Sequence, residues 1–113
     1  MIMFGKLLFS AESGLAVADC YGSVLPVPDY MQVKGPYIRS SIEGGISTLS
    51  IYEFDDQWTE EGLAHLKARY ARFSDIEGAI ASVEEWLGVD VALHLLQETH
   101  SVTDALEAVS FRI

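Results

Sequence analysis

Gly45-Ile46-Ser47-Thr48-Leu49-Ser50-Ile51-Tyr52-Glu53-Phe54-Asp55-Asp56 decides the fold of this chain. Its centre is rich in β-branched and aromatic residues, which suit a pleated, half-buried strand. Glu43-Gly44-Gly45 opens it with residues able to take positive φ in a hairpin turn. Asp55 and Asp56 close it, and either can cap a helix. Beyond them Glu60 and Glu61 suit the positive end of a helix dipole. Leu63, Leu66, Tyr70 and Phe73 then recur on one helical stripe, while His65, Lys67, Arg69 and Arg72 fall mostly elsewhere. The pattern predicts a strand over 46–54 and a helix over 58–73.

Toward the N-terminus, 30–42 reads as the other arm of the hairpin. Gly35-Pro36 interrupts it, so an edge strand with a bulge or bend is expected, where a missing N–H is tolerated. Leu25-Pro26-Val27-Pro28-Asp29 holds an extended connection. Residues 11–24 read as a helix with Ser10 as its N-cap. Residues 1–9 read as a strand with Ile2, Phe4 and Leu8 on one face and Met3, Leu7 and Phe9 on the other. A strand apolar on both faces is covered on both. Toward the C-terminus, Ser74-Asp75-Ile76-Glu77-Gly78 is a turn. Residues 79–86 read as a strand rather than a helix, because Ile80, Val83 and Trp86 sustain no helical stripe. Val89, Leu93 and Leu96 mark a short helix. Residues 102–109 carry a weaker helical pattern, and 111–113 read as an added strand or a frayed end.

The order β-α-β-β-α-β, with short connections and right-handed crossovers, predicts an α+β ferredoxin-like sandwich: a four-stranded antiparallel sheet with both long helices on one face. Residues 1–98 form that domain and 99–113 a C-terminal helical tail. The other sheet face is left open. It is expected to carry Phe, Leu or Tyr, including Tyr52, rather than charges, and so to meet a second copy.

Composition agrees with self-association. Half of the 113 residues are apolar and the mean hydropathy is +0.21, a surplus that a subunit interface absorbs. Seventeen acids against seven bases give a formal charge of -10. Such a surface repels phosphate, so neither nucleic acid nor an anionic membrane is an expected partner. No run approaches the roughly 18 apolar residues of a membrane span. The N-terminal run carries Lys6 and lacks a basic flank and a cleavage site, so it reads as a strand, not a signal peptide. With one cysteine, Cys20, no internal disulfide forms, and a cytoplasmic location is expected. Asp19 beside Cys20 argues against a reactive thiolate.

The words Gly35-Pro36-Tyr37-Ile38, Ile51-Tyr52-Glu53-Phe54-Asp55 and Val83-Glu84-Glu85-Trp86-Leu87-Gly88-Val89-Asp90-Val91-Ala92-Leu93 resemble small members of the dimeric α/β-barrel superfamily. The resemblance covers about residues 1–98. It implies two ferredoxin-like subunits with their open sheet faces pressed together and a cavity between sheet and helices. The superfamily includes cofactor-free monooxygenases, haem-dependent enzymes, and small aromatic-compound isomerases or decarboxylases. None of their active-site patterns can be laid on this chain residue by residue.

Chemical constellations are few. His94 and His100 are not at the i, i+4 spacing that pairs two ligands on a helical face, and no metal site is expected. Glu84 and Glu85 point to opposite faces of a strand. Asp55-Asp56 has a sufficient task as a cap. Gly44-Gly45 lacks the Lys-Ser/Thr of a phosphate loop. Trp58, Tyr70, Phe73 and Trp86 read first as core. One group remains. Tyr37 and Arg39 share a face of their strand, as do Ser50 and Tyr52. If the two faces coincide, they form a hydroxyl-rich, singly basic patch suited to a small apolar molecule with a carbonyl or carboxylate end. The alternative has Arg39 paired with an acid across a dimer and the tyrosines packed.

Two functions fit. One is a homodimeric α/β-barrel module that holds a small apolar or aromatic ligand, without cofactor. The other is a cofactor-independent monooxygenase or isomerase acting on a small aromatic or polyketide-like substrate. The enzyme needs an acid or base of tuned pKa facing an open cavity. A tyrosine-filled interior favours the module.

Overall fold

The computed structural model describes residues 1–24, 26–41 and 45–99, with backbone alone at 98 and 99. The elements run β1 (Ile2–Ser10), α1 (Gly14–Ser23), β2 (Met31–Ser40), β3 (Gly45–Phe54), α2 (Thr59–Ser74), β4 (Ile80–Trp86) and α3 (Val89–Thr99). All strand pairs are antiparallel, in the order β2-β3-β1-β4. This is an α+β sandwich compatible with a ferredoxin-like fold. The expected turn at 43–44 and the expected tail structure at 100–113 lie outside the described residues.

The helix starts differ in detail from the expectation. Ser10 precedes a single 3-10 turn, Ala11–Ser13, and makes no side-chain cap bond; α1 begins at Gly14. Ser13 turns instead to β4's entry, donating to the Glu77 carbonyl at 2.8 Å. Asp55 does cap, accepting from the Gln57 N–H at 3.1 Å, but the turn it caps is the 3-10 turn Asp56–Trp58 that leads into α2. Gly45 does not take positive φ. It opens β3, and a Cβ there would make ordinary contacts with Ser41 and Leu8. Positive φ occurs at Gly35 and Gly78.

Alternation along the strands sorts the side chains by face. Met3, Leu7 and Phe9 of β1 and Thr48, Ser50, Tyr52 and Phe54 of β3 are buried under the helices. Leu66, Tyr70 and Phe73 of α2 and Val17 of α1 close on them from above. Leu63 is half-buried, so the stripe expected on α2 is the one that packs. Tyr52, Phe73, Leu7 and Leu66 are the largest fully buried side chains. Burying each contributes roughly 1.5–3 kcal/mol, which makes this layer the main source of stability.

β2 and β4 are the edges. The interruption expected in β2 is a bulge: Lys34 pairs with Ile51 and Tyr37 with Leu49, so Gly35 and Pro36 together face Ser50 alone. Along β2 only Met31 is buried, because the helices do not reach over this edge.

Candidate functional site

The face of the sheet away from the helices has a regular lattice. Cross-strand pairing builds one row Arg39–Ser47–Leu8–Ile80 and beside it a second row Tyr37–Leu49–Lys6–Ser82. These two rows line a hollow of about 580 Å³. Its floor is apolar through Leu8, Leu49 and Ile80, with hydroxyls from Ser47, Ser82 and Tyr37. Ile80 is 65% exposed, Tyr37 56% and Leu8 47%. Farther along the same face come Phe4 and Glu84, then Ile2, Glu53 and Trp86.

The expectation of a face without charges is wrong. Lys6, Lys34, Arg39, Glu53 and Glu84 all stand on it. Pairing makes four of these five charges tolerable beside apolar residues. Lys6 meets Glu84 at 3.0 Å and lies 5.7 Å from the centroid of the Trp86 ring. Lys34 reaches Glu53 at 4.0 Å. Trp86 stacks on Phe4 with centroids 4.8 Å apart, so it belongs to this surface and not to the core. Trp58 likewise lies outside the core, stacked on Tyr30 at 4.6 Å.

The four residues read together from the sequence are split in two. Tyr37 and Arg39 line the hollow. Ser50 and Tyr52 point the other way, into the layer under the helices. The bulge is the cause. Before it, Met31 and Val33 pair with Phe54 and Tyr52 on the helix side; after it, Tyr37 and Arg39 pair with Leu49 and Ser47 on the open side. One extra residue reverses the parity of β2. Unbroken alternation from Met31 would have set Tyr37 and Arg39 on the same side as Ser50 and Tyr52.

Under the helices the hydroxyls satisfy one another. Tyr52 Oη and Tyr70 Oη are 2.8 Å apart. Tyr21 Oη and Thr48 Oγ1 are 3.1 Å apart. Burial, then the bond to Tyr52, pushes the Tyr70 phenol well above its ordinary pKa, with Ser50 acting in the opposite sense. Burial likewise raises Tyr21. These shifts keep the phenols neutral and bonded.

Two further groups lie near the outer flank of α2. His65, expected on the polar side, is half-buried, and its Nε2 is enclosed without a hydrogen-bond partner among the described residues. Burial, helped by the Arg69 charge, lowers its pKa. Cys20 is half-buried; burial raises its thiol, against the opposing charge of Arg72. Among the described residues no group of three His, Cys, Asp or Glu is placed to hold a metal ion. No helix among them is long and apolar enough to cross a membrane.

No family model and no curated protein matches the chain. Among solved structures it is similar to aminopeptidase PepT from Bacillus cereus ATCC 10987, with 10% identity and a TM-score of 0.45 over 87% of this chain and 35% of that one. It is also similar to a tripeptidase from Staphylococcus aureus subsp. aureus Mu50, with 10% identity and a TM-score of 0.41 over 88% of this chain and 35% of that one. The chain thus spans about a third of the length of these structures. Likeness at this level carries no argument about what this chain does.

Proposed function

We propose that the chain is a homodimeric module of the α/β-barrel kind. Two copies join by their open sheet faces and hold a small apolar or aromatic ligand in the hollow between them. The observation that carries this reading is the hollow itself, an apolar floor with interspersed hydroxyls on a face that the protomer's own described helices leave uncovered. Monomers seldom leave so broad an apolar patch without a partner.

Charge supports the same face. It bears three bases and two acids, Lys6, Lys34, Arg39, Glu53 and Glu84. The chain as a whole has seven bases and seventeen acids. Like copies therefore repel least when they approach by this surface.

Binding fits the hollow better than catalysis by the phenols and the imidazole whose pKa values are displaced. Tyr21, His65 and Tyr70 belong to the helix side of the sheet, away from the hollow. The layer between sheet and helices is filled by Leu7, Tyr52, Leu66 and Phe73. Light scattering on the purified chain at micromolar concentration tests the association: a mass of two chains is expected, and a mass of one chain overturns it.

A further inference from the structure

We infer that the hollow on the open face selects an organic anion, a flat apolar body ending in a carboxylate that Arg39 grips. The inference rests on the reading that this hollow binds a ligand, and it names the ligand's chemical class.

Arg39 and Ile80 lie at opposite ends of one cross-strand row, Arg39–Ser47–Leu8–Ile80. Three strand spacings separate them, about 14 Å. One end of the row is therefore cationic, with a hydroxyl beside it. The other end is aliphatic. A ligand lying along the row needs the matching polarity.

The two cations that line the hollow are not equivalent. Lys6 is engaged by Glu84 at 3.0 Å and by the Trp86 ring. Arg39 forms no ion pair among the described residues. Its guanidinium presents a planar fork of donors, which fits a carboxylate with two parallel bonds. An aliphatic floor beside it excludes water from one side of such a pair and strengthens it. Ligand pockets run from about 300 to 1,000 Å³, and the hollow's volume of about 580 Å³ falls inside that range.

The test is calorimetric titration with 2-naphthoate and its neutral counterpart 2-naphthamide, at one fixed salt concentration. The chain should bind the acid about tenfold more tightly than the amide, as expected for one charge-assisted contact. Arg39→Gln should remove that preference and leave amide binding unchanged. Arg39→Lys should restore part of it, since charge returns without the fork. Ile80→Asp should weaken both ligands. Circular dichroism checks that each variant is folded; Arg39 and Ile80 are exposed, so their replacement leaves the core intact.

Equal affinity for acid and amide, or a preference that survives Arg39→Gln, overturns the inference. So does dissociation of a dimer by Arg39→Gln with no change in naphthoate affinity, because Arg39 would then serve an acid on a second copy. Light scattering on the same samples separates this result from the fate of the dimer. A monomer with Arg39-dependent preference for the acid sustains the ligand class and removes the dimer. A dimer indifferent to naphthoate does the reverse.

Discussion

Tyr52 and Tyr70 meet hydroxyl to hydroxyl at 2.8 Å, one carried by the sheet and the other by α2. Their rings cross edge to face at 89°, with centroids 6.1 Å apart. This contact ties the helix layer to the C-terminal part of β3. Tyr52→Phe keeps the ring but strips the bond from a buried phenol, and should cost about 1–2 kcal/mol in urea denaturation. Tyr70→Phe should cost a similar amount. The double variant should lose less than the sum, because the two hydroxyls share one bond. Additive losses would mean that the bond contributes nothing. Tyr52→Lys should unfold the protomer, since it would bury an unpaired charge under the helices.

Gly5 lies opposite Ser50 in the sheet, directly beneath Tyr70. A Cβ at Gly5 would collide with the Tyr70 ring and hydroxyl. Gly5→Ala should therefore destabilise the chain by about 1–3 kcal/mol or more, as overpacking does. Gly45→Ala is the matched control. A Cβ there would sit 3.5 Å from Ser41 Oγ and 3.6 Å from Leu8 Cδ1, which is ordinary contact. Its melting temperature should stay level or rise slightly, since Ala restricts the unfolded chain. Equal losses at the two positions would contradict this packing.

Leu8 is central to the open face and has no part in the core. Leu8→Glu should leave cooperative unfolding of the protomer in place, with a change of less than about 0.5 kcal/mol, as for exposed sites. It should shift the mass in light scattering from two chains to one. A dimer that survives this variant would place the interface on another surface.

The enclosed His65 imparts a pH dependence. Its pKa in the folded chain is lowered from 6.5, first by burial and then by Arg69. The folded state therefore favours the neutral ring, while the unfolded chain takes a proton more readily. The contribution is fully present above pH 6.5 and is lost as pH falls through the folded-state value. Urea midpoints compared at pH 7.5 and 5.5 should drop on acidification. His65→Gln should flatten that drop, because the titrating group is gone. An undiminished drop in the variant would assign the effect to other groups.

Much of the fold was legible in the linear pattern. A run apolar on both faces marked β1, a run between a Gly-Gly turn and two acids marked β3, and the stripe Leu63, Leu66, Tyr70 and Phe73 marked the buried face of α2. The preference for strand at 79–86 matches β4 (Ile80–Trp86). Such patterns are local, and burial enforces them strongly enough to leave a trace in residue order. The candidate site was legible only by halves. The pairs Tyr37 with Arg39 and Ser50 with Tyr52 each share a face, as strand geometry requires. Gly35-Pro36 announced an irregularity in β2 but not its consequence for side-chain direction.

By itself the sequence determined which of the described segments are strands and helices, in what order, and, away from the bulge in β2, which residues on each segment look the same way. The tertiary structure alone decided how those faces match between segments. A bulge of one residue reverses the direction of every side chain after it, and its count is set by the pairing of β2 with β3 rather than by either strand. That pairing sent Tyr52 into the protomer's interior and left Arg39 on the surface that lies open.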